Sequence, residues 1–304
     1  GSPTFCSSSR ARPTMAVKTT SSGYLAQTAN RFSNMFAELI EWLTTPCPST
    51  ARRLGYLREA IAIRARHRRH RENWRPHLDA TRAFVERAAA IPPRKRTAVV
   101  LGSGALLDVP IDALAAVYEK VELVDIVHPR AARRAAARLD NVILRTEGIS
   151  GAIAPLIDLQ RNTTAPPQLA PLPQLTAETD FVLSANLLSQ LPDLPYNWLG
   201  KHSALSEAAR RTFAAEIVQR HLDWLAQLDC RVALVTDIER CYVERDGRSQ
   251  EPRDSLYGAE LPSGGDHWFW DIASPGEVQA NLGVRMTVRA FDDFGGQKDA
   301  PASK

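Results

Sequence analysis

Along the chain the spacing of apolar residues changes once. Between Tyr24 and Leu43, Phe32, Met35, Phe36, Leu39, Ile40 and Leu43 recur at the period of one helix face, until Thr44-Thr45-Pro46 ends the pattern. A second stripe, Leu54, Leu57, Ile61 and Ala65, runs on through a set of arginines. A third, Leu78, Thr81, Val85 and Ala88, begins behind Pro76, a residue favoured in a first helical turn. The register breaks at Ile91-Pro92-Pro93-Arg94-Lys95-Arg96. Beyond it come short apolar runs of strand length: Thr97–Leu101, Val121–Ile126, Asn141–Arg145, Asp180–Ala185 and Arg231–Thr236. Helical stretches at Ile111–Lys120, Arg130–Leu139 and Ser206–Leu228 separate several of them, so the pattern predicts an α/β fold with a parallel, doubly wound sheet and right-handed crossovers. Segments near His267–Ile272 and Gly283–Phe291 would add the last strands, and the proline-rich stretch from Arg161 to Leu175 reads as a surface insertion.

These breaks predict four regions. Residues 1–23 open with Gly-Ser, are rich in Ser, Thr and Pro, and hold Met15 as an internal methionine, which reads as a vector remnant and a disordered tail before a native start. Residues 24–93 form an amino-terminal helical cap, 94–294 the sheet domain, and 295–304 a second disordered tail.

With 44% hydrophobic and 24% charged residues, the chain falls in the globular range, which excludes a largely disordered, collagen-like or coiled-coil protein. No apolar run approaches the roughly 18–20 residues of a membrane span, and the first 22 residues lack the apolar centre of a secretory signal, so a cytoplasmic location is expected. Cys6, Cys47, Cys230 and Cys241 form no CxxC pair and no zinc spacing, and no metal is assigned. The net charge of +4 is unevenly placed: nine arginines between Arg52 and Arg75 face only Glu59 and Glu72, a local +7.

In a doubly wound sheet ligands bind outside the carboxyl ends of the strands, near the switch point. The first strand runs into Gly102-Ser103-Gly104, where glycines let a ligand approach the backbone N–H groups. The second ends in Asp125, 21 residues beyond Gly104, a separation at which a carboxylate can accept both hydroxyls of an adenosine ribose. The third ends in Glu147-Gly148-Ile149, and the fourth in Asn186, followed by Leu187-Leu188-Ser189-Gln190.

This order, over roughly Arg96 to Cys241, resembles the class I S-adenosylmethionine-dependent methyltransferases. The resemblance implies a Rossmann-like sheet with S-adenosyl-L-methionine as cofactor. Gly102, Ser103 and Gly104 would border its methionine part, Asp125 with Ile126 would hold the ribose, Glu147, Gly148 and Ile149 would meet the adenine, and Asn186 would line the transfer site. The family often has an acid two positions before its first glycine, where this chain has Val100; Asp108 or the amino-terminal helices would have to supply the hold on the cofactor's amino group.

A dinucleotide-dependent oxidoreductase is the competing enzyme, but its fingerprint asks for Gly or Ala where Leu107 stands. No GKS or GKT follows the loop, against a Walker-type phosphate site. The turn after the fourth strand lacks the proline pair of nucleobase amino-methylating enzymes. The acceptor is therefore expected to be a small or medium-sized molecule, with its proton managed by Asp237, Tyr242 or His267 near the last strands. Trp268 and Trp270 also read as alternating core residues, with His267 a polar neighbour. Two alternatives stay open: a methyltransferase-like protein without activity that serves in binding or assembly, and an RNA methyltransferase using the Arg52–Arg75 patch. There Arg64, Arg68, Arg71 and Arg75 fall on one helical face. A solvated face is the commoner role of such a stripe, so nucleic acid is not the expected partner.

Overall fold

The computed structural model describes residues 38–275 and 281–296. Two compact units, residues 1–40 and 41–304, make up the chain. Of the first unit, residues 38–40 are described and are helical. The tail expected at 1–23, most of the helix expected at 24–43 and most of the tail expected at 295–304 lie outside the described residues.

In the second unit α1 (Ser49–Leu54) and α2 (Tyr56–Arg69) are joined at Gly55, whose φ of +97° closes α1 as its N–H donates back to Ala51 and Arg52. The stripe Leu57, Ile61 and Ala65 is buried, and Leu57 and Ile61 pack with Val127 just beyond the second strand. α3 (Arg71–Ala90) starts five residues before Pro76 instead of behind it. The proline gives up one backbone bond inside the helix. The extra turn buries Trp74, whose Nε1–H donates to the Ile272 carbonyl at 2.9 Å.

Eight strands, β1 (Thr97–Leu101), β2 (Lys120–Asp125), β3 (Val142–Thr146), β4 (Thr179–Ala185), β5 (Arg231–Glu244), β6 (Arg253–Asp254), β7 (Asp266–Ala273) and β8 (Leu282–Phe291), form one sheet. Its order is β3-β2-β1-β4-β5-β8-β7, with β6 on β5. β1 to β5 run parallel, whereas β8 is antiparallel to β5 and β7 to β8. This is a doubly wound, Rossmann-like α/β sheet. α3, α4 (Ile111–Val117) and α5 (Arg130–Arg138) cover one face, packing on Ala98 and Val100. α6 (Ile153–Ile157), α7 (Asp193–His202) and α8 (Glu207–Ala226) cover the other, packing on Val99 and Leu101.

Three features differ from the pattern reading. β5 continues eight residues past Thr236, because ten-residue pairing with β8 carries a polar stretch that hydrophobic spacing does not reveal. The break at 91–96 joins α3 to β1 within one compact unit, since Phe84, Val85 and Ala88 of α3 share a core with the strands. The arginine stripe is interrupted at His70, where α2 ends and α3 begins. Arg64 is moreover paired with Glu41 and Arg75 with Asp79.

Candidate functional site

The winding of the sheet reverses between β1 and β4, and a cavity of about 280 Å³ opens there at the carboxyl ends of the strands. The loops after four consecutive strands form one side, with Gly102 and Gly104 after β1, Asp125 ending β2, Gly148 and Ile149 after β3, and Asn186 after β4. Tyr56 and Glu59 of α2 and Asp193 of α7 line it as well.

Gly102 has φ +70°, and a Cβ there would stand 2.7 Å from Leu187 Cδ1, so the first turn needs a residue without a side chain. Asp125 fastens this loop. Its Oδ2 accepts from the N–H of Gly104 at 2.8 Å and its Oδ1 from Val127 at 3.3 Å. Burial raises its pKa, while those donors and His128 oppose the rise. Ile126 also lines the cavity. Glu147 does too, although its carboxylate is turned to Arg145 at 2.6 Å, leaving Gly148 and Ile149 as the surface a planar ring would meet. Ser103 is placed elsewhere: it is 1% exposed and lies behind the loop, off the cavity wall.

Asn186 adopts φ +51°, a left-handed conformation that asparagine tolerates better than most residues. Its Nδ2 donates to Asp108 Oδ2 at 2.6 Å and lies 3.2 Å from His77 Nε2, while its buried Oδ1 has no partner among the described residues. His77 in turn accepts from Trp268 Nε1 at 3.0 Å and stacks on Trp270 at 4.2 Å. Burial pushes the His77 pKa down to about 3 and raises that of Asp108. Asp108 is thus committed to Asn186 and does not line the cavity; the carboxylates that do, besides Asp125 and Glu147, are Glu59 and Asp193. Burial lifts the Tyr56 pKa to about 12, with Ser150 opposing the rise.

A second cavity of about 270 Å³ adjoins the first and shares Glu59, Ile63, Gln190 and Asp193 with it. Asp237 and Tyr242 line this one. A bulge between Asp237 and Glu239 shifts the alternation of β5, so that Tyr242 packs on the same core as Ala233 and Val235. Asp237 is 2% exposed and accepts from Ser189 Oγ at 2.5 Å; burial raises its pKa, and Ser189 and Arg240 oppose. Although Asp193 is an exposed residue, the protein packed around its carboxyl raises its pKa to about 6, with Arg240 opposing and Asp237 and Glu59 adding.

His267 stands in neither cavity. Strand alternation turns Trp268 and Trp270 toward α3 and leaves His267 exposed on β7. His77, which lies against Asn186, is a histidine near the site to which the sequence reading gave no role. The signal was present, because residue 77 falls three after Trp74 and four before Thr81 on the buried stripe of α3.

No family model matches the chain, and no curated protein matches it. Among solved structures it is similar to the DhpI–SAH complex, at 17% identity over 75% of this chain and 93% of that one, with a TM-score of 0.30. N-methyltransferase NodS from Bradyrhizobium japonicum WM9, in complex with S-adenosyl-L-homocysteine, matches at 13% identity over 69% and 85%, TM-score 0.31. Burkholderia thailandensis 1,6-didemethyltoxoflavin-N1-methyltransferase, with bound 1,6-didemethyltoxoflavin and S-adenosylhomocysteine, matches at 16% identity over 76% and 89%, TM-score 0.31. Among the described residues no group of three His, Cys, Asp or Glu is arranged to hold a metal, and no helix is long and apolar enough to cross a membrane.

Proposed function

We propose that the chain is an S-adenosylmethionine-dependent methyltransferase acting on a small or medium-sized molecule, with the cofactor in the first cavity and the acceptor in the second. The observation that carries this reading is the common wall formed by Gly102, Gly104, Asp125, Gly148, Ile149 and Asn186 at the switch point. The sheet adds support. It ends in an antiparallel hairpin, which speaks against the dinucleotide-binding order, whose strands continue in parallel.

The cavity's chemistry suits the cofactor. Gly102 keeps the backbone open where a Cβ would collide, and the buried Asn186 Oδ1 lacks a donor. Asp125 would accept the ribose hydroxyls, and Gly148 with Ile149 would face the adenine. Glu59 and Asp193 offer the carboxylates that Val100 does not, next to a ligand carrying an ammonium and a sulfonium. When bound, that cofactor supplies an electrophilic methyl group on a positively charged sulfur. The chain's part is to align the acceptor with it and exclude water. Asp237, at the β5 bulge on the lining of the second cavity and with a raised pKa, would take the acceptor's proton, being a stronger base than an ordinary surface aspartate.

Calorimetric titration with S-adenosylmethionine and S-adenosylhomocysteine tests the reading, with NADH as control. Both are expected to bind, and at a hundredfold excess over Kd to add about 2.7 kcal/mol of stability. Absence of binding at millimolar cofactor would overturn it in favour of a binding or assembly protein on the same fold.

A further inference from the structure

The second cavity carries a separation of charge that methyl transfer does not require. The lining it shares with the first cavity holds Glu59 and Asp193, whereas Arg66, Arg211, Arg240 and Arg253 outnumber Asp237 and Asp254 on the lining that is its own. The side chains of Arg211, Arg240 and Arg253 form no ion pair or hydrogen bond among the described residues. The guanidiniums of Arg211 and Arg253 lie over the rings of Tyr257 and Tyr242, at 5.7 and 5.5 Å. Arg240 is near enough to Asp193 and Asp237 to oppose the rise of their pKa values without pairing with either.

The nearby carboxylates are engaged elsewhere. Asp237 accepts from Ser189, and Asp254 accepts from the backbone N–H groups of Leu256 at 2.7 Å and Gly258 at 2.5 Å. Trp270, 6% exposed and on the same lining, keeps its Nε1–H without a partner among the described residues. Tyr257 is held at φ +55°, an outlier conformation for a bulky residue, of the kind that clusters at ligand clamps. Away from the shared wall, the side chains of Arg211, Arg240 and Arg253 and the Trp270 Nε1–H are thus donors left without an acceptor among the described residues. A ligand that only accepts, and carries negative charge, meets them.

We infer that the second cavity takes an acceptor bearing an oxyanion, a carboxylate or a phosphate, held by Arg211, Arg240 and Arg253. This rests on the methyl-transfer reading for the contents of the first cavity. The nucleophilic end of the acceptor then lies toward Gln190 and Asp193, on the shared wall, and the anionic end away from it. Such an arrangement selects by charge, because guanidinium forks match both oxyanions.

Protein saturated with S-adenosylhomocysteine is titrated calorimetrically with benzoate, phenyl phosphate, benzyl alcohol and benzylamine. The two oxyanions are expected to bind, more weakly as salt rises, and the alcohol and amine are not. Preference between benzoate and phenyl phosphate identifies the oxyanion. Arg240→Gln, and separately the double variant Arg211→Gln with Arg253→Gln, should weaken oxyanion binding at least tenfold, while S-adenosylhomocysteine affinity stays unchanged. If S-adenosylhomocysteine binds but the oxyanions do no better than benzyl alcohol, or bind the variants as well as the parent chain, the anion site is overturned and the proposed function stands. If the oxyanions bind in an Arg240-dependent way to a protein that ignores S-adenosylhomocysteine, the anion site survives and the methyl-transfer reading falls.

Discussion

At the amino-terminal edge of the parallel strands, Asp180 accepts from the backbone N–H of Arg96 at 2.9 Å and from its guanidinium at 2.6 and 3.1 Å. Those bonds hold the Asp180 pKa down to about 2. At the carboxyl edge of the same sheet, Asp108, Asp125, Asp193 and Asp237 all shift the other way, and in each the first cause is desolvation. At the first edge the Asp180 carboxylate is paired at both oxygens. At the other, Asp108, Asp125, Asp193 and Asp237 form no ion pair among the described residues, and Asn186 Oδ1 and Trp270 Nε1 have no partner there. Carboxylates already neutralised fit a structural role, and those that are not fit the proposed ligand site.

The largest effect separating the two edges is expected at Asp180. Asp180→Ala removes the acceptor of three bonds and leaves the part-exposed Arg96 guanidinium without its carboxylate, so Tm should fall by several degrees. Cofactor affinity should hold. The sign with pH follows from a folded pKa near 2, below the ordinary carboxylate value of about 3.9. The contribution is complete above pH ~4 and is lost as pH falls through about 2. A variant as stable as the parent in denaturant titration would show that the clasp is ornamental.

Asp125→Ala probes the opposite edge. A charged acceptor contributes roughly 1.5–3 kcal/mol, so S-adenosylhomocysteine should bind about ten- to a hundredfold more weakly. Because Asp125 also fastens Gly104 and Val127, the unliganded protein should lose about 1 kcal/mol as well. Lowered stability with unchanged affinity would assign the residue to the loop alone.

Asp193 gives the comparison a pH axis. A cationic ligand prefers the ionised carboxylate, so binding should lower the Asp193 pKa from about 6 and release protons. S-adenosylmethionine affinity should therefore be flat well above pH 6 and fall below it, by at most tenfold per pH unit. Asp193→Asn should abolish the dependence. Calorimetry in buffers of different ionisation enthalpy counts the protons; none released at pH 6 would remove Asp193 from the cation's surroundings.

The two edges were not equally legible in the sequence. The carboxyl-edge loops declared themselves because their residues follow short apolar runs, such as Val99 to Leu101, and because backbone-only requirements leave glycine at fixed places, as at Gly102. Residues contributed by helices that cross the edge did not. Glu59 sits in the arginine-rich segment, where a carboxylate reads as a surface partner, and Asp193 lies in a helix with no marked apolar stripe. Neither announces that tertiary packing brings it to the cavity. The end of β5 was hidden for a related reason: Asp237, Glu239 and Arg240 carry no strand signal, and pairing with β8 with a bulge is what extends the strand. Asp180 and Arg96 went unpaired in the sequence reading because 84 residues separate them.

The smallest expected effect falls on the two histidines that flank the aromatic cluster. His267 and His77 have the same side chain, and the sequence favoured the first because it stands between Asp266 and Trp268. In the fold, β7 turns His267 outward to solvent and places Trp268 and Trp270 around His77. Exposed substitutions away from packed features usually change stability by less than about 0.5 kcal/mol, so His267→Gln should leave Tm, cofactor affinity and turnover within error of the parent protein. Its pH–rate profile should also be unaltered, since a general base must reach the proton it removes and this ring lies outside both cavities. His77→Gln, by contrast, breaks the contact with Trp268 and the stack on Trp270, and should shift Asn186 enough to weaken cofactor binding measurably. Loss of a limb of the pH–rate profile in His267→Gln would return that residue to the reaction and mean that β7 moves when substrate binds.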